Sequence, residues 1–449
     1  MHLYEPGTPE YADTITLNNA MIERRPALVA RCASPGDVRD AIALARSRGL
    51  PLAVRAGGHS VAGLSLVDDG LVIDVRGMNA IEVDPDRRIA RVGAGATWSQ
   101  FDRATQPHGL ATTGGRVSTT GVAGLTLGGG SGWLERKHGL ACDNLLAVEL
   151  VTAEGEHVRA SAGEHPDLFW ALRGGGGNFG VVTAFEFRLH PVGSEVFAGL
   201  ALWPAARGRE LLTLYRDVMR DAPEGLSLAF LYLKAPAEEG IPEHLHGELV
   251  AAIAGMYAGP VDEGRDAVRE IRAAGPEADF FEPMPYADFQ CMIDDPPGFR
   301  NYWTSEHLTD LPDAAIEAIA SRSEAMPAGA SQLFMVSWGG AVARVGQDSS
   351  PLSARDALFV VHPFGMWQDP ADDAANIGWA RGFRDDLSPY STGALYLNFV
   401  GDEGQERVRA GYGPGSYERL ALVKAVWDPD NVFRASGNVP PPTAVATAA

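Results

Sequence analysis

The chain has 449 residues, 45% hydrophobic and 21% charged, with a formal net charge of −21. That is the balance of a globular protein with room for two or three packed lobes. Its acidic residues are spread along the chain, which argues against nucleic acid and anionic membrane surfaces as partners.

Cys32, Cys142 and Cys291 stand far apart, with neither a disulfide framework nor zinc spacing. No basic-then-apolar leader opens the chain, and no apolar run approaches the ~18 residues of a membrane span. A reducing, cytoplasmic setting is the expectation. The pair His244 and His246 sits in a loop marked by Pro242 and is read as solvated, so no metal is expected.

In chain order, Ser34-Pro35-Gly36-Asp37 predicts a helix start. Ser34 is the N-cap, Pro35 suits the first helical position, and Asp37 completes an S-x-x-D box. Val38, Ala41, Ile42 and Ala45 share helical spacing, and Gly49 supplies the stop. Strands are expected over 52–55, 71–75 and 89–92, then a short helix over 98–105. Strands follow over 146–152, 157–160 and 185–189, and Pro191 marks a boundary.

From about 194 to 390 the pattern changes. Helices are expected over 208–220, 263–274 and 312–322, and strands over 226–233, 247–257, 333–338 and 358–362. Together they imply an antiparallel sheet with helices on one face. The last segment predicts a strand over 393–400 and a helix over 416–426, stopped by Asp428-Pro429. Residues 294–297 read as a turn, and the tail from 440 as frayed.

Three glycine tracts stand beside apolar strands. The first is Val54-Arg55-Ala56-Gly57-Gly58-His59-Ser60, the second spans 121–132, and the third is Gly174-Gly175-Gly176-Gly177-Asn178-Phe179-Gly180. Glycines let main chain approach a ligand, and successive N–H groups form an anion nest. One large phosphate-bearing cofactor is implied. A G-x-G-x-x-G loop in a βαβ unit is absent, so a Rossmann site is not indicated.

These tracts keep their order with Lys137-His138-Gly139-Leu140-Ala141-Cys142-Asp143-Asn144, with 167–173, and with Trp427-Asp428-Pro429-Asp430-Asn431-Val432-Phe433. The ordered set resembles the FAD-linked oxidases of the vanillyl-alcohol oxidase superfamily, in the berberine-bridge-enzyme-like branch. The resemblance implies an α+β fold. A PCMH-type FAD-binding domain of two α/β subdomains spans 20–193. A substrate domain with a helix-covered antiparallel sheet spans 194–390, and a segment over 391–440 returns to the FAD domain.

It further implies FAD joined through its 8α-methyl to His59. Many members add a cysteine link, but Val117 stands at that position in Gly114-Gly115-Arg116-Val117-Ser118, so a mono-covalent flavin is expected. Cys142 is then a packed thiol near the cofactor. The other expected cofactor contacts are Arg55, Gly57, Gly58, Ser60 and Gly63, then Ser118, Thr119, Gly121, Gly124, Leu125, Gly128, Gly129 and Gly132. Asp143, Gly177, Asn178, Gly180, Val182, Tyr396 and Asn398 complete the set. Arg55 either pairs with a phosphate or packs a strand end.

For chemistry, His362 stands in an apolar strand where berberine-bridge-type members place a Glu or Gln, and a neutral imidazole suits general-base work. Tyr396 and Asn398, two apart, would share one strand face. Tyr302 matches a region that lines the family's substrate cavity. The expected reaction is hydride transfer from a small-molecule substrate to flavin, with O2 as reoxidant and hydrogen peroxide as product. A dehydrogenase, a monooxygenase-like use of O2, and a flavoprotein that sequesters a natural product without turnover are the alternatives. The sequence carries no signal of oligomeric state.

Overall fold

The computed structural model describes residues 1–442 other than 295–296, 328, 354 and 436. The turn expected at 294–297 and the tail from 440 therefore fall partly outside the described residues. The chain folds as a mixed α/β structure on three main sheets.

The first sheet orders His2–Tyr4, Leu28–Arg31, Leu71–Asp74 and Leu52–Arg55, the last three parallel. Parallel neighbours need a crossover, and the helix Pro35–Arg48 supplies it. Its ends lie where the residues predict. Ser34 Oγ accepts from the Asp37 N–H at 3.2 Å, and Gly49 ends the helix at φ 65°. The second sheet is antiparallel, in the order Ile81–Asp84, Ile89–Gly93, Val181–Arg188, Leu145–Val151, His157–Ser161.

The third sheet has nine strands, all antiparallel. Its centre is Val196–Pro204, Leu249–Tyr257, Leu226–Lys234, Gln332–Ser337 and Phe359–Trp367. Side-chain alternation decides its two faces. Phe230, Tyr232, Leu333, Met335 and Val361 pack with Leu211, Tyr215, Ile319 and Phe383 of the helices Gly208–Arg220, Asp313–Glu324 and Asp373–Leu387. Leu231, Phe334, Val336 and Val360 point the other way, into the core shared with the glycine tracts.

Three expectations are corrected. The strand expected to end at His362 runs on to Trp367 through Pro363. Proline has no N–H to donate, and the strand alongside is broken there into Arg300–Trp303 and Glu306–Leu308. The helix expected over 263–274 is two, Val261–Ala267 and Arg269–Ala273, meeting at the buried Val268. The strand expected over 393–400 is absent, and Leu397–Phe399 is a 3-10 turn. Its polar side chains bond to the second glycine tract instead of leaving a ladder to form. Strand Val196–Pro204 and helices Pro9–Ile15 and Asp373–Leu387 were not signalled by the patterns above.

Candidate active site

Between the glycine tracts and the third sheet lies a cavity of roughly 1240 Å³, above the ~300–1,000 Å³ of a usual small-molecule site. One wall is largely main chain. Gly57, Gly58, His59 and Ser60 come from the loop after Leu52–Arg55. Gly124 and Leu125 lie in the helix Val122–Leu127, which Gly121 and Gly128 flank, and Gly177 and Gly180 lead into the strand Val181–Arg188 with Val182 in it. A Cβ on Gly57 would sit 2.2 Å from the Gly121 nitrogen, and one on Gly121 would sit 2.4 Å from the Gly57 nitrogen. The two loops thus meet main chain to main chain. Gly58 adopts φ 78°, which side chains disfavour. The facing wall is apolar sheet: Leu200, Leu202, Leu231, Leu233, Phe334, Phe364 and Met366.

His59 stands in the first wall with Nε2 2.9 Å from Thr119 Oγ1. Burial pulls its imidazole down to about 4, so the ring is neutral at pH 7. Val117 lines the cavity nearby and offers no thiol.

Other expected contacts stand behind this lining and support it. Arg55 donates Nη2 to the Thr16 carbonyl at 3.0 Å. Asp143 takes both Arg355 Nη atoms, at 3.0 and 2.8 Å. Cys142 is fully buried with its thiol pushed up to about 12 by burial. Asn178 donates to the Gly175 carbonyl and accepts from the Val439 N–H. Gly63 lies against Ile22, Gly129 against Tyr396, and Gly132 against Gly114. Ser118 and Thr119 hold Asp294 and His59 respectively. Arg55, Gly63, Ser118, Thr119, Gly129, Gly132, Cys142, Asp143 and Asn178 thus adjoin the residues that line the cavity.

The three catalytic candidates, His362, Tyr396 and Tyr302, are not among the described residues that line the cavity. His362 is on the cavity side of its sheet but fully buried. Phe399 stacks on its ring at 4.0 Å and Phe364 leans on it at 4.0 Å. Its Nδ1 is 3.1 Å from the Thr304 carbonyl oxygen, and burial pulls its imidazole well below the ordinary range. Tyr396 is the cap of the 3-10 turn. Its oxygen accepts the N–H groups of Gly130 at 2.6 Å and Ser131 at 3.0 Å, and the Asn398 amide at 2.9 Å. These three bonds tie the oxygen to the second glycine tract and to Asn398, and burial raises its pKa. Asn398 does line the cavity. Tyr302 points to the helix face, donating to Glu403 Oε1 at 2.8 Å and accepting from Arg381 Nε at 2.9 Å.

Other polar side chains border the cavity. Arg116 borders the cavity between the rings of Trp133 and Phe334, at 4.8 and 5.6 Å. It donates to Ser131 Oγ at 2.9 Å and to the buried Glu135 at 2.6 Å. A lone arginine in Gly114-Gly115-Arg116-Val117 was the available signal. Gln332 and Asp294 also line the cavity. His244 turns to Glu277 and His246 to the Ile241 carbonyl.

A family model described as FAD binding domain matches residues 26–161, and one described as berberine and berberine like matches residues 395–440. The chain is 31% identical to an uncharacterized FAD-linked oxidoreductase, YgaK, of Bacillus subtilis, over 96% of this chain and 95% of the relative. It is 32% identical to (R)-6-hydroxynicotine oxidase of Paenarthrobacter nicotinovorans, over 93% and 92%. The crystal structure of 6-hydroxy-D-nicotine oxidase from Arthrobacter nicotinovorans superposes with a TM-score of 0.87 at 28% identity, over 98% and 97% of the two chains.

Proposed function

Because the chain belongs to the berberine-bridge-like FAD-linked oxidoreductases, we propose that it is an oxidase of a largely apolar small molecule, with FAD held covalently by His59 alone. One observation carries this reading: a neutral imidazole stands in a main-chain wall that faces an apolar sheet across a single cavity. The residues present fit the cofactor. The glycine loops keep side chains out of the wall, and their N–H groups suit a pyrophosphate. When bound, the flavin supplies two-electron chemistry, taking a hydride equivalent from an alcohol or amine carbon and passing the electrons to O2 as hydrogen peroxide.

The chain's own residues bind and orient. Leu200, Leu202, Leu231 and Phe334 exclude water from the substrate's apolar body. The Arg116 guanidinium, buried beside Glu135, favours a substrate oxygen carrying negative or partial negative charge. The similar chain named (R)-6-hydroxynicotine oxidase supports O2 as electron acceptor. A natural product with a carbonyl or phenolic oxygen on an apolar frame fits this wall.

The test begins with the purified yellow protein. After acid precipitation its colour stays with the pellet, and that of His59→Ala washes free. Anaerobic addition of apolar alcohols and amines bleaches the flavin, and air restores the colour with release of peroxide. Bleaching that air does not reverse would replace the oxidase by a dehydrogenase. Tight binding without bleaching would replace it by a sequestering protein.

A further inference from the structure

The link through His59 poses an electrostatic problem. Joining a neutral imidazole nitrogen to a cofactor carbon makes the ring cationic until its remaining N–H proton leaves. The surroundings of His59 disfavour a cation, through burial and through Arg55, and Asp294 opposes them.

Asp294 follows the helix Tyr286–Phe289 of the middle region and lines the cavity. One carboxylate oxygen accepts the Ser118 N–H at 2.6 Å, and the other accepts the Ser118 hydroxyl at 2.5 Å. The next residue, Thr119, holds His59 Nε2 at 2.9 Å. Charge-assisted bonds to two donors of one residue make a stiff clamp.

We propose that Asp294 is a positioning residue for cofactor attachment. It locks the Ser118–Thr119 turn that orients His59, and its charge offsets the imidazolium formed as the bond closes. The proposal rests on the covalent reading above. In that step one imidazole N–H and one methyl C–H are exchanged for one N–C bond. Two protons and two electrons are released, and O2 takes up both as hydrogen peroxide. Asp294 and His59 lie in different parts of the chain, so attachment waits until the middle region has closed on the glycine tracts.

The experiment uses full-length wild type, Asp294→Asn and Ser118→Ala, each purified with its flavin. Bound flavin is read from absorbance after gel filtration, and linked flavin from the fraction left after acid precipitation. Asp294→Asn, which loses the charge but little volume, is expected to bind flavin with roughly a fivefold lower linked fraction. Ser118→Ala, which keeps the charge, is expected to fall between it and wild type. Linked fractions equal to wild type in both variants overturn the proposal. If Asp294→Asn binds no flavin, Ser118→Ala and Thr119→Val decide, and wild-type linkage in both overturns it. Release of all flavin by the wild type itself would instead sink the covalent reading.

Discussion

Lys424 Nζ donates to the Asn178 carbonyl oxygen at 2.6 Å in a site closed to solvent. The same ammonium reaches Asp428 Oδ2 at 2.6 Å and the Phe433 carbonyl at 2.7 Å. Lys424 belongs to the C-terminal helix Ser416–Trp427, and Asn178 to the third glycine tract. The contact thus ties the berberine-like segment to the cofactor wall. Removing one partner of a buried ion pair strands the other charge. Lys424→Met is expected to cost about 3–5 kcal/mol in urea unfolding and to lower flavin content. Lys424→Met with Asp428→Asn should cost less than the sum of the two single changes.

Gly121→Ala would drive a Cβ into the Gly57 main chain at 2.4 Å. No flexible side-chain end can give way there. A loss of about 1–3 kcal/mol is expected, with reduced bound flavin by absorbance. Gly163→Ala is the control, since its Cβ would meet nothing within 4 Å. It should stay within about 0.5 kcal/mol of wild type.

Tyr396→Phe separates a structural acceptor from a base. Without the hydroxyl, the Gly130 and Ser131 N–H groups lose their acceptor, at a cost of about 1–3 kcal/mol for each group left unpaired. The alkaline limb of the kcat/KM profile should not move. Loss of that limb in the variant would return Tyr396 to the reacting atoms.

Asp102 supplies a pH prediction. Burial pushes its carboxyl up to about 7, and only the Gln290 donor at 3.1 Å opposes this. The unfolded chain loses that proton near 3.8, while the folded chain keeps it until about 7. The unfolded state therefore binds fewer protons in this window, and stability falls as pH rises through it. Asp102→Asn removes the penalty. Its gain in thermal midpoint should be close to nil near pH 4 and reach a few degrees near pH 8. Calorimetry at both pH values checks this, and an equal gain at both counts against it.

Local signals carried much of the architecture. Ser34, Pro35 and Gly49 mark their helix in the sequence because caps act within a few residues. The glycine tracts mark the cofactor wall because close main-chain approach leaves no other residue type. The surroundings of the catalytic candidates were not legible, for the opposite reason. Period-2 alternation puts His362 on the correct face of its strand, but the ring that covers it, Phe399, comes from a remote turn. Tyr396 sits in a run that reads as a strand, yet its conformation is set by bonds to Gly130 and Ser131, far away in the chain. Asp294 read as part of a turn, and its partner Ser118 lies 176 residues earlier.

The mutual contact of Gly57 and Gly121 also limits how this lineage can vary. Elsewhere in a packed interior, a bulkier residue can be accommodated when its neighbour shrinks. Here both neighbours are already the smallest residue there is, and each is the other's obstacle. No compensating exchange exists between them. Divergence at this corner must proceed by displacing a whole loop, whereas the cavity wall opposite is built of side chains and carries no such reciprocal main-chain block.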